Sequence, residues 1–157
     1  MPERVWFPST SGPVLAGLVD HPEGPTRGWG VFSHGFTLGK DSPAASRICK
    51  QLAGEGVGML RFDNLGLGDS AGDWGDGSFS HKVGDTAQAA RFMNESGREV
   101  RLLVGHSFGG AAVIAAAHEV DSVRAWRAWA RRTSPATSST TTTPWWSGSW
   151  PTARPRS

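Results

Sequence analysis

Ser107 lies in the run LLVGHSFGGAA, with Gly105 and Gly109 two residues to either side of it. This G-x-S-x-G pattern follows an apolar, strand-like stretch and precedes an alanine-rich, helix-like one. That setting is what allows the motif to form a nucleophile elbow. A serine held in a sharp strand-to-helix turn carries a strained backbone, which survives only where its close neighbours lack side chains. Gly105 and Gly109 meet that need. The turn lifts Oγ above the sheet and aims the next amide, that of Phe108, at the place where an oxyanion would form. The positive end of the following helix lies behind it. The chemistry such a group supports is attack on a carbonyl carbon.

A second oxyanion donor is expected in Ser33-His34-Gly35-Phe36-Thr37. Gly35 lets the backbone turn sharply, so the Phe36 amide can face that of Phe108, and the Phe36 ring can help to line an acyl pocket. His34 is read as shaping its own loop, because a general base must reach Ser107 Oγ from the substrate side. His106 is read as a packing or supporting residue, since neighbouring side chains in a sharp turn point apart. His118 comes eleven residues after Ser107, roughly 16 Å along a helix axis, and is out of reach. His21 and His81 carry no signal.

The stretch RFDNLGLGDSAGDWGDGSF invites two other readings. GLGDSAG lacks the immediate helix and downstream acid of a dinucleotide site. Asp69, Asp73 and Asp76 fail the spacing of a calcium loop with its closing glutamate. No cofactor and no metal is therefore expected, and the stretch reads as a connection near the rim of the site.

The elements that would position these groups alternate. Arg4–Pro8 and Val14–Asp20 read as a hairpin around Ser11-Gly12-Pro13, and Gly28–Ser33 as a buried strand. Ser42–Gly54 has helical apolar spacing, with Pro43 in its first turn. Val57–Phe62 returns as a strand. Phe79–Ser96 reads as a helix with Val83, Ala87, Ala90 and Phe92 or Met93 on one side. Arg98–Val104 is the next strand and Ala111–Glu119 the next helix, and Ser122–Ala125 begins a further strand. The alternation predicts an α/β fold, a mostly parallel sheet flanked by helices. Val57–Phe62 and Arg98–Val104 are expected as adjacent inner strands.

A chain of 157 residues with one cysteine has room for a single domain and no disulfide framework. Cys49 fits a reducing compartment, and the N-terminus lacks a signal-peptide layout, so a cytoplasmic setting and no membrane partner are expected. The charge of +2 divides unevenly: residues 1–125 hold eleven Lys/Arg against fourteen Asp/Glu, and residues 126–157 hold five Arg and no acid. The folded part is thus not basic, and nucleic-acid binding is not expected. The segment 126–157 has five of the eight tryptophans, seven threonines, four prolines and no aliphatic larger than alanine. It reads as a low-complexity tail outside the core, disordered or derived from a shifted reading frame of GC-rich coding sequence.

HGF after the third strand, RFDNLGLGDSAG after the fourth and GHSFGG after the fifth together resemble the α/β-hydrolase superfamily. More narrowly, they are similar to the bacterial hydrolase domain that is often fused to an OsmC-like redox domain. The resemblance covers roughly residues 4–125. It implies the N-terminal part of that fold, with Ser107 as nucleophile and the amides of Phe36 and Phe108 as oxyanion donors. It also implies acyl-transfer hydrolysis of a small-molecule ester or related acyl substrate, and a functional link to an OsmC-like domain. The superfamily order is Ser…Asp/Glu…His. After Ser107 this sequence offers only His118, Glu119 and Asp121, all too early, so the expected chain is a truncated, impaired hydrolase or a non-catalytic module.

Overall fold

The computed structural model describes residues 1–130. Six strands, β1 (Glu3–Pro8), β2 (Val14–Asp20), β3 (Gly28–Ser33), β4 (Val57–Phe62), β5 (Val100–His106) and β6 (Ala125–Trp129), form one sheet. Their order is β1-β2-β4-β3-β5-β6. The β1–β2 hairpin joins antiparallel to β4, and β4, β3, β5 and β6 run parallel. Three helices cover the sheet: α1 (Pro43–Gly54), α2 (Phe79–Glu95) and α3 (Phe108–Ala116).

Side-chain alternation along the strands divides the core in two. Phe32, Met59 and Val104 face α1 with Ala45 and Cys49. Val31, Leu60 and Leu103, each one residue away in sequence, face the α2 and α3 side with Ala87, Met93, Val113 and Ala116. Val83, Ala87, Ala90 and Met93 are all buried, as the helical spacing predicts. Ser42 caps α1 ahead of Pro43, and Ser78 caps α2 through a reciprocal pair with His81.

Two expectations need correction. β4 and β5 are both inner and buried, but they are not neighbours, because β3 pairs with each of them. Periodicity marks a strand as buried on both faces but says nothing about which strand lies beside it. The winding direction therefore reverses at β3, and the carboxyl ends of β3 and β5 flank the point where α/β sheets leave a crevice.

The second correction concerns the proposed boundary after Ala125. Trp126–Trp129 belong to β6, in register with Leu103–His106 of β5. A parallel ladder needs main-chain donors and acceptors rather than aliphatic side chains, and small Ala128 fits against the position of Gly110. The rest of the proposed tail, from residue 131, lies outside the described residues. No described helix is long and apolar enough to cross a membrane.

Candidate active site

Strand β5 ends at His106, α3 starts at Phe108, and Ser107 alone makes the turn. Its φ of 54° and ψ of −117° are the only positive-φ geometry at a non-glycine residue among the described residues. The flanking glycines are required by close approach. A Cβ on Gly105 would strike the backbone of Gly109 and Gly110, and one on Gly109 would strike the carbonyls of Ser33 and His34. The elbow is thus packed directly onto the end of β3, where the loop carrying Phe36 begins.

The Ser107 N–H donates to the Trp129 carbonyl at 2.7 Å, so β6 anchors the turn from its other side. Ser107 is exposed, and its side chain makes no capping bond to α3. Phe108, at the first helical position, has no carbonyl one turn back for its amide. The Phe36 and Phe108 rings meet edge to face at 5.4 Å, so the two expected donor residues are brought together.

His34 is almost completely buried. Its Nδ1–H donates to the Gly35 carbonyl at 2.8 Å, which fixes the tautomer and holds the loop. Burial, aided by the Lys82 ammonium, pushes its pKa down to about 3. It is therefore neutral at all ordinary pH. The His106 ring lies 5.5 Å from that of Trp129, with Nδ1 buried beside Gly35. His21 pairs with Glu3 and His81 with Ser78, while His118 lies beyond the end of α3.

Several residues of the site had no motif to mark them. Trp74, in a short 3₁₀ turn, packs on Phe36 at 4.9 Å, and Phe79 at the start of α2 packs on Phe108 at 5.4 Å. Beside them is a crevice of about 20 Å³, lined by Phe36, Trp74, Phe108, Asn64 and Lys82, which is room for a single water. Lys82 Nζ donates to Asn64 Oδ1 at 2.6 Å, and burial pulls its pKa down to about 7. Asp85 accepts from Ser9 Oγ, the Thr10 amide and Thr10 Oγ1, tying α2 to the β1–β2 turn. Lys40, just after the Phe36 loop, donates to Asp63 at 2.7 Å and to Asp69 at 2.8 Å. A larger hollow of about 480 Å³ is lined by Arg91, Glu99, Glu119 and Arg124 at the opposite ends of β5 and β6, away from Ser107. Among the described residues no group of histidines, cysteines and carboxylates could hold a metal ion.

The strained serine on its strand-to-helix turn is accompanied by a sequence match. The family model of the S33 serine aminopeptidases matches residues 24–152. The chain is an α/β-hydrolase of the S33 serine aminopeptidase family. Solved structures share the α/β-hydrolase fold. The α/β-hydrolase GrgF from Penicillium sp. sh18 superposes with a TM-score of 0.74 at 25% identity, over 82% of this chain and 45% of that one. The esterase domain of a Rhodothermus marinus protein gives 0.65 at 33% identity, over 82% and 49%. Est1E from Butyrivibrio proteoclasticus, solved with ferulic acid bound, gives 0.70 at 25% identity, over 78% and 50%. This S33 chain spans about half the length of those structures. No curated protein matches it in sequence.

Proposed function

We propose that the chain carries the nucleophile and oxyanion hole of a serine hydrolase that acts by acyl transfer on a small ester or related acyl compound. Ser107 Oγ attacks the carbonyl carbon and gives its proton to solvent. The Phe36 and Phe108 amides hold the oxyanion while the C–O bond of the leaving alcohol breaks. Water then releases the acyl group. His34 and Gly35 shape the loop that presents Phe36, and His106, Gly105 and Gly109 support the elbow. The observation that carries this reading is the backbone of Ser107, strained at φ 54° beside glycines that cannot bear a side chain.

No described histidine is hydrogen-bonded to Ser107: His34, His21 and His81 bond elsewhere. Without a base, the oxyanion hole and binding alone leave on the order of 10³–10⁴-fold catalysis over water. This reading predicts slow turnover for the chain. The same observation favours a second reading, a non-catalytic module that keeps the site without turnover. A serine-directed diphenyl phosphonate separates the two. Stoichiometric labelling in the wild type, lost in Ser107→Ala, together with slow ester turnover, supports the impaired hydrolase. Labelling without any Ser107-dependent turnover supports the module. Labelling that persists in Ser107→Ala refutes Ser107 as the nucleophile.

A further inference from the structure

Four aromatic rings from four separate segments form one row beside Ser107. Trp74 meets Phe36 at 4.9 Å and 75°, Phe36 meets Phe108 at 5.4 Å and 86°, and Phe108 meets Phe79 at 5.4 Å and 62°. Every contact is edge to face, so the row presents alternating ring faces and edges. Phe36 is 56% exposed and Phe79 43% exposed, although each sits against a half-buried aromatic partner. The crevice beside the row takes no more than a water, so a ligand must lie along the rings rather than within it. The charged residues in the crevice wall are already engaged, Lys82 with Asn64 and Asp85 with Ser9 and Thr10. Both side chains are almost completely buried. The row therefore favours a neutral, apolar group.

Phe36 and Phe108 supply both rings of the row and the two proposed oxyanion amides. A group packed on those rings thus lies within a few bonds of the carbonyl held at the amides. We infer that the Trp74–Phe36–Phe108–Phe79 row is the acyl subsite, and that it selects esters whose acyl chain carries an aryl ring two or three carbons from the carbonyl. An aryl group gains there from edge-to-face pairing as well as from area removed from water. This inference rests on Ser107 being the nucleophile, and the experiment keeps the two apart.

The full chain is titrated with 2-phenylethylboronic acid and with ethylboronic acid, following the tetrahedral adduct by boron NMR. In each adduct Ser107 Oγ bonds to boron and its proton leaves to solvent. Separately, saturation transfer to 3-phenylpropionamide, which forms no bond to Ser107, is compared with transfer to propionamide. We expect the phenylethyl acid to bind about tenfold tighter than the ethyl acid. Phe79→Ala and Trp74→Ala should reduce that ratio to about threefold or less, with Phe79→Leu intermediate, in variants whose circular dichroism matches the wild type. Saturation transfer to the aryl amide should survive Ser107→Ala and weaken in Phe79→Ala. Equal binding of the two boronic acids with no transfer to the aryl amide overturns the subsite and leaves the nucleophile standing. Transfer to the aryl amide with no adduct from either acid overturns the nucleophile and leaves the aryl site. A tenfold ratio that persists in both alanine variants places the selectivity elsewhere and also overturns the subsite.

Discussion

Replacing Lys40 with methionine tests what holds the Phe36 loop in place. Lys40 Nζ reaches Asp63 at 2.7 Å, Asp69 at 2.8 Å and Asp41 at 3.2 Å. The three acids do not count equally. The side chains of Asp69 and Asp41 are 63% and 72% exposed and return to water at little cost, each such pair being worth about 0–1 kcal/mol. Asp63 is only 2% exposed and becomes a buried carboxylate without a counter-charge. Breaking a buried pair from one side costs about 3–5 kcal/mol. Asp63 keeps two backbone donors, the amides of Lys40 and Asp69, which points to the lower end. Lys40→Met should therefore lose about 3 kcal/mol, a fall in Tm of about 6–12 °C for a chain of this size. Urea unfolding followed by circular dichroism measures it, with m unchanged. Asp63→Asn alone should also destabilise. The double variant should lose at least about 1 kcal/mol less than the sum of the singles, because the two residues share one interaction. A loss below about 1 kcal/mol in Lys40→Met, or strict additivity, would refute the argument that this pair fixes the loop.

Other consequences are equally direct. Because Ser107 holds φ 54°, Ser107→Gly should be more stable than Ser107→Ala by about 1 kcal/mol in the same urea assay, although both remove the proposed nucleophile. Gly109→Ala, whose methyl would enter the carbonyls of Ser33 and His34, should lose about 3 kcal/mol and slow phosphonate labelling of Ser107. His34 has a folded pKa of about 3 against 6.5, so the unfolded chain takes up the extra proton between those values. Stability should fall as pH drops from about 6.5 to 3, and His34→Gln should flatten that slope. Lys82 is lowered from 10.5 to about 7, so between these values the unfolded chain holds a proton that the folded chain has released. Stability should rise with pH across that window, and Lys82→Met should remove the rise.

The parts of this molecule legible in its sequence are those where backbone geometry leaves no substitute residue. Gly105 and Gly109 flank Ser107 because a methyl at either position would enter main chain, and that need is written locally. The apolar side of α2 is legible for a similar reason, since Val83, Ala87, Ala90 and Met93 recur at helical spacing. Lys82 and Asp85 share that helix and are also buried, yet charged residues beside an apolar stripe look like a solvated edge. Only their partners, Asn64 on one side and Ser9 with Thr10 on the other, explain their burial. The aromatic row is hidden for the same reason, because its four rings come from four segments that only the fold brings together. Strand β6 was masked by composition. Trp126–Trp129 open a run with no aliphatic larger than alanine, but their main chain completes a ladder with β5.

The position of β3 has a consequence for how this chain is made. β3 lies between β4 and β5, yet it precedes both in the sequence, and 73 residues separate Ser33 from the end of β5 at His106. At about 5–20 residues per second, a ribosome takes about 4–15 s to deliver the second of its partners. During that interval the edge of β3 that pairs with β5 in the finished sheet has no partner strand. The strand that leads into the Phe36 loop is thus an open edge in the nascent chain, and slowing or hastening translation between residues 34 and 106 changes how long that edge stays unpaired.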